Sequence, residues 1–341
     1  MGVTIRQLAH LCGVSTATVS LVLGNKDKGR VGVQRREKIL RLAEQYGYQS
    51  NPAAKGLAEG RTYRVALAIE GVLSDHAIIG QFSFYDRLGL MAKALHGRGY
   101  AIEIVQVDTR REAAEVCRDF SRIAADGLVL LNWSPEAAAP ILLSLREKRR
   151  PAVASGTTLH DDQYTWTDVN RGAAFADATR RLIRDGRRQV LFLDCEVPHL
   201  HVAEKQGAFL GVVRDELGRD GKEWMFLSAT DSYDGVVALT EEAVRRMPEA
   251  RAFLLTDNFY AAAVEHALRR AGLHPGADCR VIGFGETALA DRCTPRLSHY
   301  SLQVEPQVEF SIEALLEEMR DPAAYRPRHR LFGPEFIERE T

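Results

Sequence analysis

A short segment near the amino terminus is rich in side chains that end in hydroxyl or methyl groups. The segment supplies Ser15, Thr16, Ala17, Thr18, Ser20 and Leu21. Hydroxyl groups can donate or accept hydrogen bonds to a polar partner, whereas methyl groups can make only apolar contacts. Ser15 is of a type preferred just before a helix, because its hydroxyl accepts a hydrogen bond from a free backbone N–H group. The spacing therefore predicts a helix over residues 16–23.

Two further helices are predicted around this segment, and they determine how it is held. Thr4 and Gln7 have the spacing of a capping box, and apolar residues then recur at helical spacing up to Gly13. A third helix is predicted over residues 33–46, ending at Gly47. Its inward positions are expected to be Ile39, Leu40, Leu42 and Ala43. Two short helices joined by a tight turn predict a helix-turn-helix, although the helix pattern alone also fits a three-helix domain of another function.

The charge of the chain is unevenly distributed. The formal net charge is only −1, but the first 60 residues hold nine lysine or arginine side chains against four acidic ones. A basic head on an acidic body indicates a polyanionic partner for the head. Taken alone, the excess also fits an ordinary solvated surface.

The first 54 residues contain several short motifs, each at a fixed distance from the next. They are Val3-Thr4-Ile5-Arg6-Gln7-Leu8-Ala9, Gly13-Val14-Ser15, Thr18-Val19-Ser20, Asn25, Arg36-Glu37-Lys38-Ile39, Tyr46-Gly47-Tyr48 and Asn51-Pro52-Ala53-Ala54. Together they resemble the amino-terminal signature of the LacI/GalR family of bacterial transcription regulators. The resemblance implies an operator-binding homodimer that contacts double-stranded DNA through Thr4, Ser15, Thr16, Ala17, Thr18, Ser20, Leu21, Asn25, Arg30 and Tyr48.

Two residues of this region depart from the family pattern. Leu21 stands where the family usually has an arginine that reads guanine, so the operator is expected to differ at that step. Gly32 stands where a serine or threonine usually caps the third helix. The loop that ends at Arg30 is basic and is expected to add phosphate contacts, which position the protein without specifying sequence.

A hinge is predicted after the head. Asn51 can cap a short helix over residues 53–59, which would be marginal alone and is weakened further by Gly56, so alanine at Gly56 is expected to favour the helix. The family resemblance implies that this helix pairs with its dimer mate in the minor groove, contacts DNA through Asn51 and Lys55, and inserts Leu57 as a wedge between base steps at the centre of a near-palindromic operator. The alternative is a leucine in a plain linker.

The remaining sequence predicts an α/β body. Short apolar strands, among them residues 65–69, 101–105, 127–131, 190–193, 252–255 and 280–283, alternate with amphipathic helices. Such alternation predicts parallel sheets covered on both faces. The body resembles the periplasmic-binding-protein-like sensor domain of the same family. The predicted fold is thus an all-α helix-turn-helix head joined to an α/β body of two doubly wound parallel-sheet lobes.

Domain boundaries follow from this prediction. The head is expected to span residues 1–50 and the hinge helix and linker residues 51–64, leaving residues 65–341 for the effector-binding and dimerisation domain. Within the body, lobe 1 is expected to cover about residues 65–165 and 303–325, and lobe 2 about residues 166–302 and 326–341.

The effector is expected to bind where strands of the two lobes end, as in other open α/β sheets. Carried over from the family, the candidate contacts are Ser83, Phe84, Asn132, Trp133, Lys205, Asp257 and Gln303. An aromatic ring to stack on and a few polar groups suit a small, polar, sugar-like ligand. Lys205 replaces the family's usual arginine and so cannot make the bidentate hydrogen bonds of a guanidinium. Gly285 replaces one of two carboxylates that are usual at this place in the family. Each candidate could instead be structural.

The sequence holds no recognisable catalytic motif. It lacks a phosphate-binding loop, a complete dinucleotide fingerprint and a nucleophile elbow, so no enzyme activity and no cofactor are expected. His199 and His201 lie near Glu196 and Glu204, but solvated histidines are a simpler interpretation than a metal site. The alternatives to a ligand-controlled repressor are a regulator whose altered cleft is ligand-independent or binds a protein, and a sugar or nucleoside enzyme.

The sequence indicates a cytoplasmic protein. No apolar stretch is long enough to span a membrane, and residues 1–10 lack the apolar core of a signal peptide. The five cysteines are scattered without a paired spacing, which argues against a zinc site or a disulfide framework.

Overall fold

The computed structural model of the protein describes residues 3–341 except 26, 28, 49–55, 57, 58, 71–77, 109, 110, 186, 187, 196–200 and 286. The chain forms two compact units, Met1–Tyr63 and Arg64–Thr341, which we call the head and the body. Nowhere in the described ranges is there a helix with the length and apolar character that a membrane span requires.

The head contains three helices, α1 (Ile5–Cys12), α2 (Thr16–Leu23) and α3 (Val33–Gln45). The predicted capping box is confirmed, since the Thr4 hydroxyl accepts from the backbone N–H of Gln7 and the Thr4 backbone N–H donates to Gln7 Oε1 at 2.9 Å. The predicted cap of α2 is also confirmed, because Ser15 Oγ accepts from the backbone N–H of Thr18 at 3.1 Å. Gly13 follows α1 at φ 70°, a left-handed conformation that lets the chain turn sharply into α2.

A small apolar core holds the three helices together. Its buried members are Leu8, Ala9, Cys12, Val19, Val22, Ile39 and Ala43. Leu40 was expected to point inward, but its side chain is 37% exposed, so this prediction is wrong. The core is closed by Ile39 and Ala43, which lie four residues apart on one face of α3, and this leaves Leu40 turned toward solvent. Gly32 provides no side-chain cap for α3, as its lack of a side chain requires.

The predicted hinge helix falls largely outside the described residues, and this includes Asn51, Lys55 and Leu57. Gly56 is described, and its carbonyl accepts a hydrogen bond from the backbone N–H of Arg61 at 2.9 Å. A Cβ atom at Gly56 would lie 2.3 Å from the carbonyl oxygen of Arg61. In this conformation alanine would require the backbone to move, and the expectation that alanine favours the hinge helix stays a prediction.

The body contains two six-stranded sheets. The first has the strand order β11-β5-β4-β3-β1-β2, and all of its neighbouring strands are parallel. Its strands are β1 (Arg64–Glu70), β2 (Ala101–Val107), β3 (Gly127–Leu131), β4 (Ala152–Ser155), β5 (Trp166–Val169) and β11 (His329–Phe332). Its helices are α4 (Ile78–His96), α5 (Ala113–Arg122), α6 (Pro135–Glu147) and α12 (Val304–Arg320).

The second sheet has the strand order β12-β10-β9-β8-β6-β7. Its strands are β6 (Val190–Cys195), β7 (Met225–Ser228), β8 (Ala252–Leu255), β9 (Arg280–Gly285), β10 (Ser298–Ser301) and β12 (Phe336–Ile337). Its α-helices are α7 (Arg171–Arg184), α8 (Val202–Leu217), α9 (Tyr233–Arg246), α10 (Ala261–Arg270) and α11 (Thr287–Ala290).

Both sheets are covered by helices, which confirms the doubly wound fold. In β1, Val65 and Leu67 belong to one core cluster and Ala66 and Ala68 to another, because successive side chains of a strand point to opposite faces. On the first sheet, α4 packs with α12 and α5 packs with α6, and on the second, α7 packs with α8 and α9 with α10.

Two details of the prediction need correction. Residues 166–169 and 329–332 were assigned to lobe 2, but β5 and β11 pair with each other in the first sheet, so the chain changes lobe later than expected. The second sheet is not wholly parallel, since β12 runs antiparallel to β10. Its position at the sheet edge allows this, because a short return strand needs no crossover helix.

Candidate DNA interface and effector cleft

One face of α2 is exposed to solvent. Val19 and Val22 are almost completely buried and fix the helix on the head core. The opposite side consists of exposed Thr16, Ala17, Ser20 and Leu21, with Leu21 36% exposed. Thr18 is half-buried, and its hydroxyl lies 2.9 Å from that of Ser15. The second helix of a helix-turn-helix thus presents hydroxyl and methyl groups on a preformed surface.

Three of the other four predicted DNA contacts of the head, Thr4, Tyr48 and Asn25, have structural partners within it. Thr4 caps α1, and Tyr48 is half-buried against the head core. Asn25 adopts φ 51°, and its Oδ1 accepts from Arg36 Nη2 at 2.9 Å. Arg30 is exposed in the loop before α3. Contacts of these four residues with DNA stay predictions.

The three chain crossings between the lobes lie side by side. The backbone N–H of Asn170 donates to the carbonyl of Phe332 at 2.8 Å, and that of Ser301 to the carbonyl of Glu335 at 2.9 Å. Gln303, a predicted effector contact, adopts φ 49°, and its Nε2 donates to the Gly333 carbonyl. The Gln303 side chain thus links two of the crossings by a hydrogen bond. Ligand contact by Gln303 stays a prediction.

A buried ionic cluster occupies the lobe boundary beside these crossings. Asp168, at the end of β5, is fully buried and lies 2.7 Å from Nη1 of Arg171, the first residue of α7. Thr158, after β4, donates its hydroxyl to Asp168 Oδ2 at 2.9 Å. Burial alone would raise the pKa of Asp168, but Arg171 and the hydrogen bonds outweigh it and lower the pKa. The carboxylate is therefore charged and held by partners from both lobes.

His201 and Glu204 extend this cluster from the second lobe. His201 Nε2 lies 3.8 Å from Asp168 Oδ2, and its Nδ1 lies 3.5 Å from Glu204 Oε2. Glu204 Oε1 also accepts from the backbone N–H of Gly172 at 2.7 Å. Burial and the nearby Arg171 lower the pKa of His201. The sequence singled out His201 and Glu204 only as a weak metal alternative, and within the described ranges no group of metal-ligating side chains comes together.

Lys205 lies deeper in the second lobe than its predicted role requires. Its side chain is 6% exposed, and Nζ donates to the carbonyl of Thr256 at 3.1 Å. The ammonium also lies 5.7 Å from the ring centre of Phe175 and 5.8 Å from that of Phe284. Burial lowers the pKa of Lys205, and the nearby Asp194 opposes this shift. Lys205 therefore has partners within the lobe, and its contact with an effector stays a prediction.

Trp133 does not provide the expected stacking surface. It is fully buried, its Nε1 donates to the carbonyl of Ala68 at 2.8 Å, and its ring packs edge-on against Phe120. The prediction is wrong because the side chain following β3 turns into the core beneath α5 and α6. Asn132 is half-buried and adopts φ 54°. A Cβ atom at Gly156 would lie 2.1 Å from its Oδ1, so Gly156 makes room for this amide.

The remaining predicted contacts differ in how far the structure describes them. Asp257 is half-buried after β8, and its Oδ1 accepts from the backbone N–H of Phe259 at 2.9 Å. Ser83 and Phe84 belong to α4, but their side chains lie outside the described part of the chain.

A groove on the α9–α10 side of the second lobe was not predicted. It has a volume of about 570 Å³ and is lined by Asp231, Tyr233, Tyr260, Glu265, His266 and Arg292, among others. Asp231 and Glu265 are each only 8% exposed, yet one oxygen of each lacks a hydrogen-bond partner among the described residues. Only the alternation of buried and exposed positions in α10 could have indicated this surface.

The fold and these sites define a DNA-binding regulator with a helix-turn-helix head and a two-lobed sensor body. Residues 4–51 match the model of bacterial regulatory proteins of the lacI family, and residues 146–341 match the periplasmic binding protein-like domain. The chain belongs to the LacI family of transcription regulators.

Relatives and solved structures agree with this assignment. The chain is 26% identical over 316 residues to the transcriptional regulator CelR of Thermobifida fusca, covering 89% of this chain and 87% of CelR. It is 24% identical over 304 residues to catabolite control protein A of Staphylococcus epidermidis, covering 87% of both. The lac repressor dimer bound to operator and an anti-inducer shares the fold with a TM-score of 0.81 and 16% identity, covering 100% of this chain and 99% of that one. These relatives are transcription regulators, and so is this chain, rather than an enzyme.

Proposed function

We propose that the protein represses transcription in the cytoplasm as a homodimer on a near-palindromic operator, and that a small polar ligand between the lobes of the body controls its DNA affinity. The observation that carries the proposal is the exposed, uncharged face of α2 held rigidly on the head core. A helix so placed fits the major groove. The excess of basic residues in the head supports sequence-independent attraction to phosphates.

Selection from a random double-stranded DNA library tests the DNA-binding part. The full chain is expected to enrich a near-palindrome of two half-sites, because a two-fold dimer presents two copies of α2. Its affinity for the selected sequence should fall linearly with the logarithm of salt concentration. A fragment of residues 64–341 serves as the control and should enrich nothing. No enrichment by the full chain, or equal enrichment by the fragment, would refute the proposal.

The groove of the second lobe supports the dimer. Burial raises the pKa of Glu265, and an unpaired buried carboxylate oxygen is costly unless a donor reaches it. Arg292 is exposed at the same groove. Because a two-fold axis places a surface against itself, Arg292 of a second copy can approach Asp231 or Glu265. We therefore assign this groove to the second copy.

Sedimentation measurements at several protein concentrations test this assignment. Arg292→Glu should raise the dissociation constant of the dimer at least about tenfold, since like charges across an interface cost several kcal/mol. The control is Arg214→Glu, which makes the same charge change at an exposed position on α8, on the other side of the sheet. Equal effects of the two variants would place the dimer contact elsewhere.

The ligand part is supported by the position of the ionic cluster. Polar groups from both lobes meet where their strands end, and Asp257 lies half-buried at the end of β8. A ligand that joins the lobes would bias their relative closure and thereby the affinity for DNA. A structure of the relative CelR is a complex with cellobiose, which makes cellobiose a suitable first probe.

Thermal shift measurements with cellobiose and a panel of other mono- and disaccharides test the ligand part. At least one sugar should raise the melting temperature of the full chain, and Asp257→Ala should remove the rise while Asp278→Ala, in an exposed loop, should not. A chain that responds to no sugar would favour a cleft that is ligand-independent or binds a protein.

A further inference from the structure

The recognition face of α2 lacks the groups that read guanine and adenine through paired hydrogen bonds. The helix has the sequence TATVSLVL and contains no charged or amide side chain. Ala17 and Leu21 are four residues apart, so they lie next to each other on the exposed side. Both end in methyl groups, and the structure leaves them open to solvent rather than packing them into the head core.

An apolar pair at this place restricts which base edge it can face. In the major groove, guanine, adenine and cytosine present hydrogen-bonding groups, and thymine alone adds a methyl group at C5. Covering a donor or acceptor with leucine leaves that group without its water partner, which costs free energy. Contact with a methyl group gains free energy because apolar surface is removed from water on both sides.

We propose that Ala17 and Leu21 form a methyl-reading patch that recognises the C5 methyl of thymine in each half-site. This inference rests on the proposed DNA-binding function. The patch accepts 5-methylcytosine at the same position, since that base carries the same methyl group at the same edge. Thr16 and Ser20 flank the patch and supply the hydroxyl groups for neighbouring polar edges.

The patch is held rigidly enough to discriminate one methyl group. Ser15 caps the start of α2, and Val19 and Val22 anchor it with 0% and 1% exposure. After the helix, Arg36 of α3 donates to Asn25 and lies 3.6 Å from Asp27 Oδ2, which fixes the chain as it leaves α2. Because the backbone is fixed at both ends, a lost methyl contact cannot be recovered by a shift of the helix.

Base-analogue substitution in the selected operator tests the proposal. Each thymine of a half-site is replaced singly by deoxyuridine, which removes only the methyl group and keeps the base pair. At one position per half-site the affinity of the full chain should fall roughly fourfold, about the effect of one buried methyl group. At that position, cytosine paired with guanine should bind more weakly than 5-methylcytosine paired with guanine.

Variants connect the effect to the patch. Leu21→Ala should reduce the difference between thymine and deoxyuridine at that position, and Leu11→Ala, at a 41% exposed position on α1, should leave it unchanged. Specific binding in which no deoxyuridine substitution weakens the complex would overturn the inference, as would full discrimination by Leu21→Ala. Failure of the proposed function looks different, because no operator would then be selected at all.

Discussion

The head and the lobe boundary of the body use their polar side chains in opposite ways. In the head, the hydroxyls of Thr16 and Ser20 are exposed, and the helix that carries them is held by apolar residues behind it. At the lobe boundary, Asp168 is fully buried and bonded to Arg171 and Thr158. Changes on the face of α2 should therefore alter DNA affinity with little effect on stability, whereas changes in the ionic cluster should first alter stability.

The largest effect is expected from breaking the buried ion pair. Arg171→Ala leaves the carboxylate of Asp168 buried without its main partner, which should lower the free energy of unfolding of the body by about 3–5 kcal/mol. Denaturant unfolding of the full chain measures the change. The control is Arg180→Ala. Arg180 Nε lies 3.5 Å from Glu216 Oε1, and the two side chains are 39% and 43% exposed. That exposed pair should contribute no more than about 1 kcal/mol. Equal losses in the two variants would contradict the contrast.

The next effect concerns the small core of the head. Leu8 is fully buried there, so Leu8→Ala should remove about 3 kcal/mol, enough to unfold a domain of this size. DNA binding should be lost while the unfolding transition of the body stays unchanged, as followed by calorimetry and DNA titration. Leu11→Ala, on the same helix but exposed, should preserve both. A body transition that shifts together with the head would show that the two units do not unfold separately.

A pH effect is expected from Glu318, near the end of α12. Its Oε2 accepts from the backbone N–H of Ala152 at 3.1 Å, and burial raises its pKa to about 7. Between the two pKa values the Glu318 carboxyl therefore keeps its proton in the folded state but loses it in the unfolded state, where its pKa is lower. This contribution to stability is fully present below about pH 4.5 and is lost as the pH rises through about 7.

Glu318→Gln removes this titration while retaining an oxygen that can accept from Ala152. The variant should match the parent chain near pH 4.5 and exceed its free energy of unfolding at pH 8 by at most about 3 kcal/mol. Unfolding measured at both pH values tests this, with Glu317→Gln, at the exposed neighbouring position, as the control. An unchanged pH dependence in Glu318→Gln would show that this carboxyl ionises without cost.

The smallest effects are expected at the helix caps of the head. Ser15→Ala removes the hydrogen bond to Thr18 N and should cost about 1 kcal/mol, because that N–H group has no partner in the helix. Gly32→Ser should instead gain a few tenths of a kcal/mol, since Gly32 has an extended conformation and open space for a side chain. Thermal unfolding of the head measures both changes, and a loss in Gly32→Ser would contradict the assignment of Gly32 as an uncapped start.

The features that could be predicted from the sequence are those determined by residues close together in the chain. The caps of α1 and α2 depend on residues three positions apart, so Thr4, Gln7 and Ser15 were sufficient to locate them. The strands with long apolar runs, such as β3 and β8, were equally visible because both faces are buried. β11 was not visible, since Leu331 is 39% exposed at a sheet edge and the strand it pairs with, β5, lies far earlier in the chain.

The effector site was harder to predict because its geometry depends on contacts distant in sequence. Trp133 lies just after β3, where a ligand contact was expected, but its hydrogen bond to Ala68 and its packing on Phe120 direct it into the core. The proximity of Asp168 to His201 joins two lobes and has no local pattern. The general rule for open α/β sheets indicated the carboxyl ends of the strands, near which Asp168, Arg171 and His201 meet, but it does not tell which way a side chain points. Ligand binding there stays a prediction.

A comparison of two charge substitutions in the head tests the central claim, that the exposed face of α2 contacts the bases. Leu21→Asp and Leu11→Asp make the same change in charge at side chains of similar exposure, 36% and 41%, on α2 and α1. Affinity for the selected operator is measured by titration of the full-length variants. Leu21→Asp should weaken binding on the order of a hundredfold, because a carboxylate is forced against the DNA, and Leu11→Asp should weaken it only a few-fold through the change in net charge. Equal weakening by both variants would contradict the account.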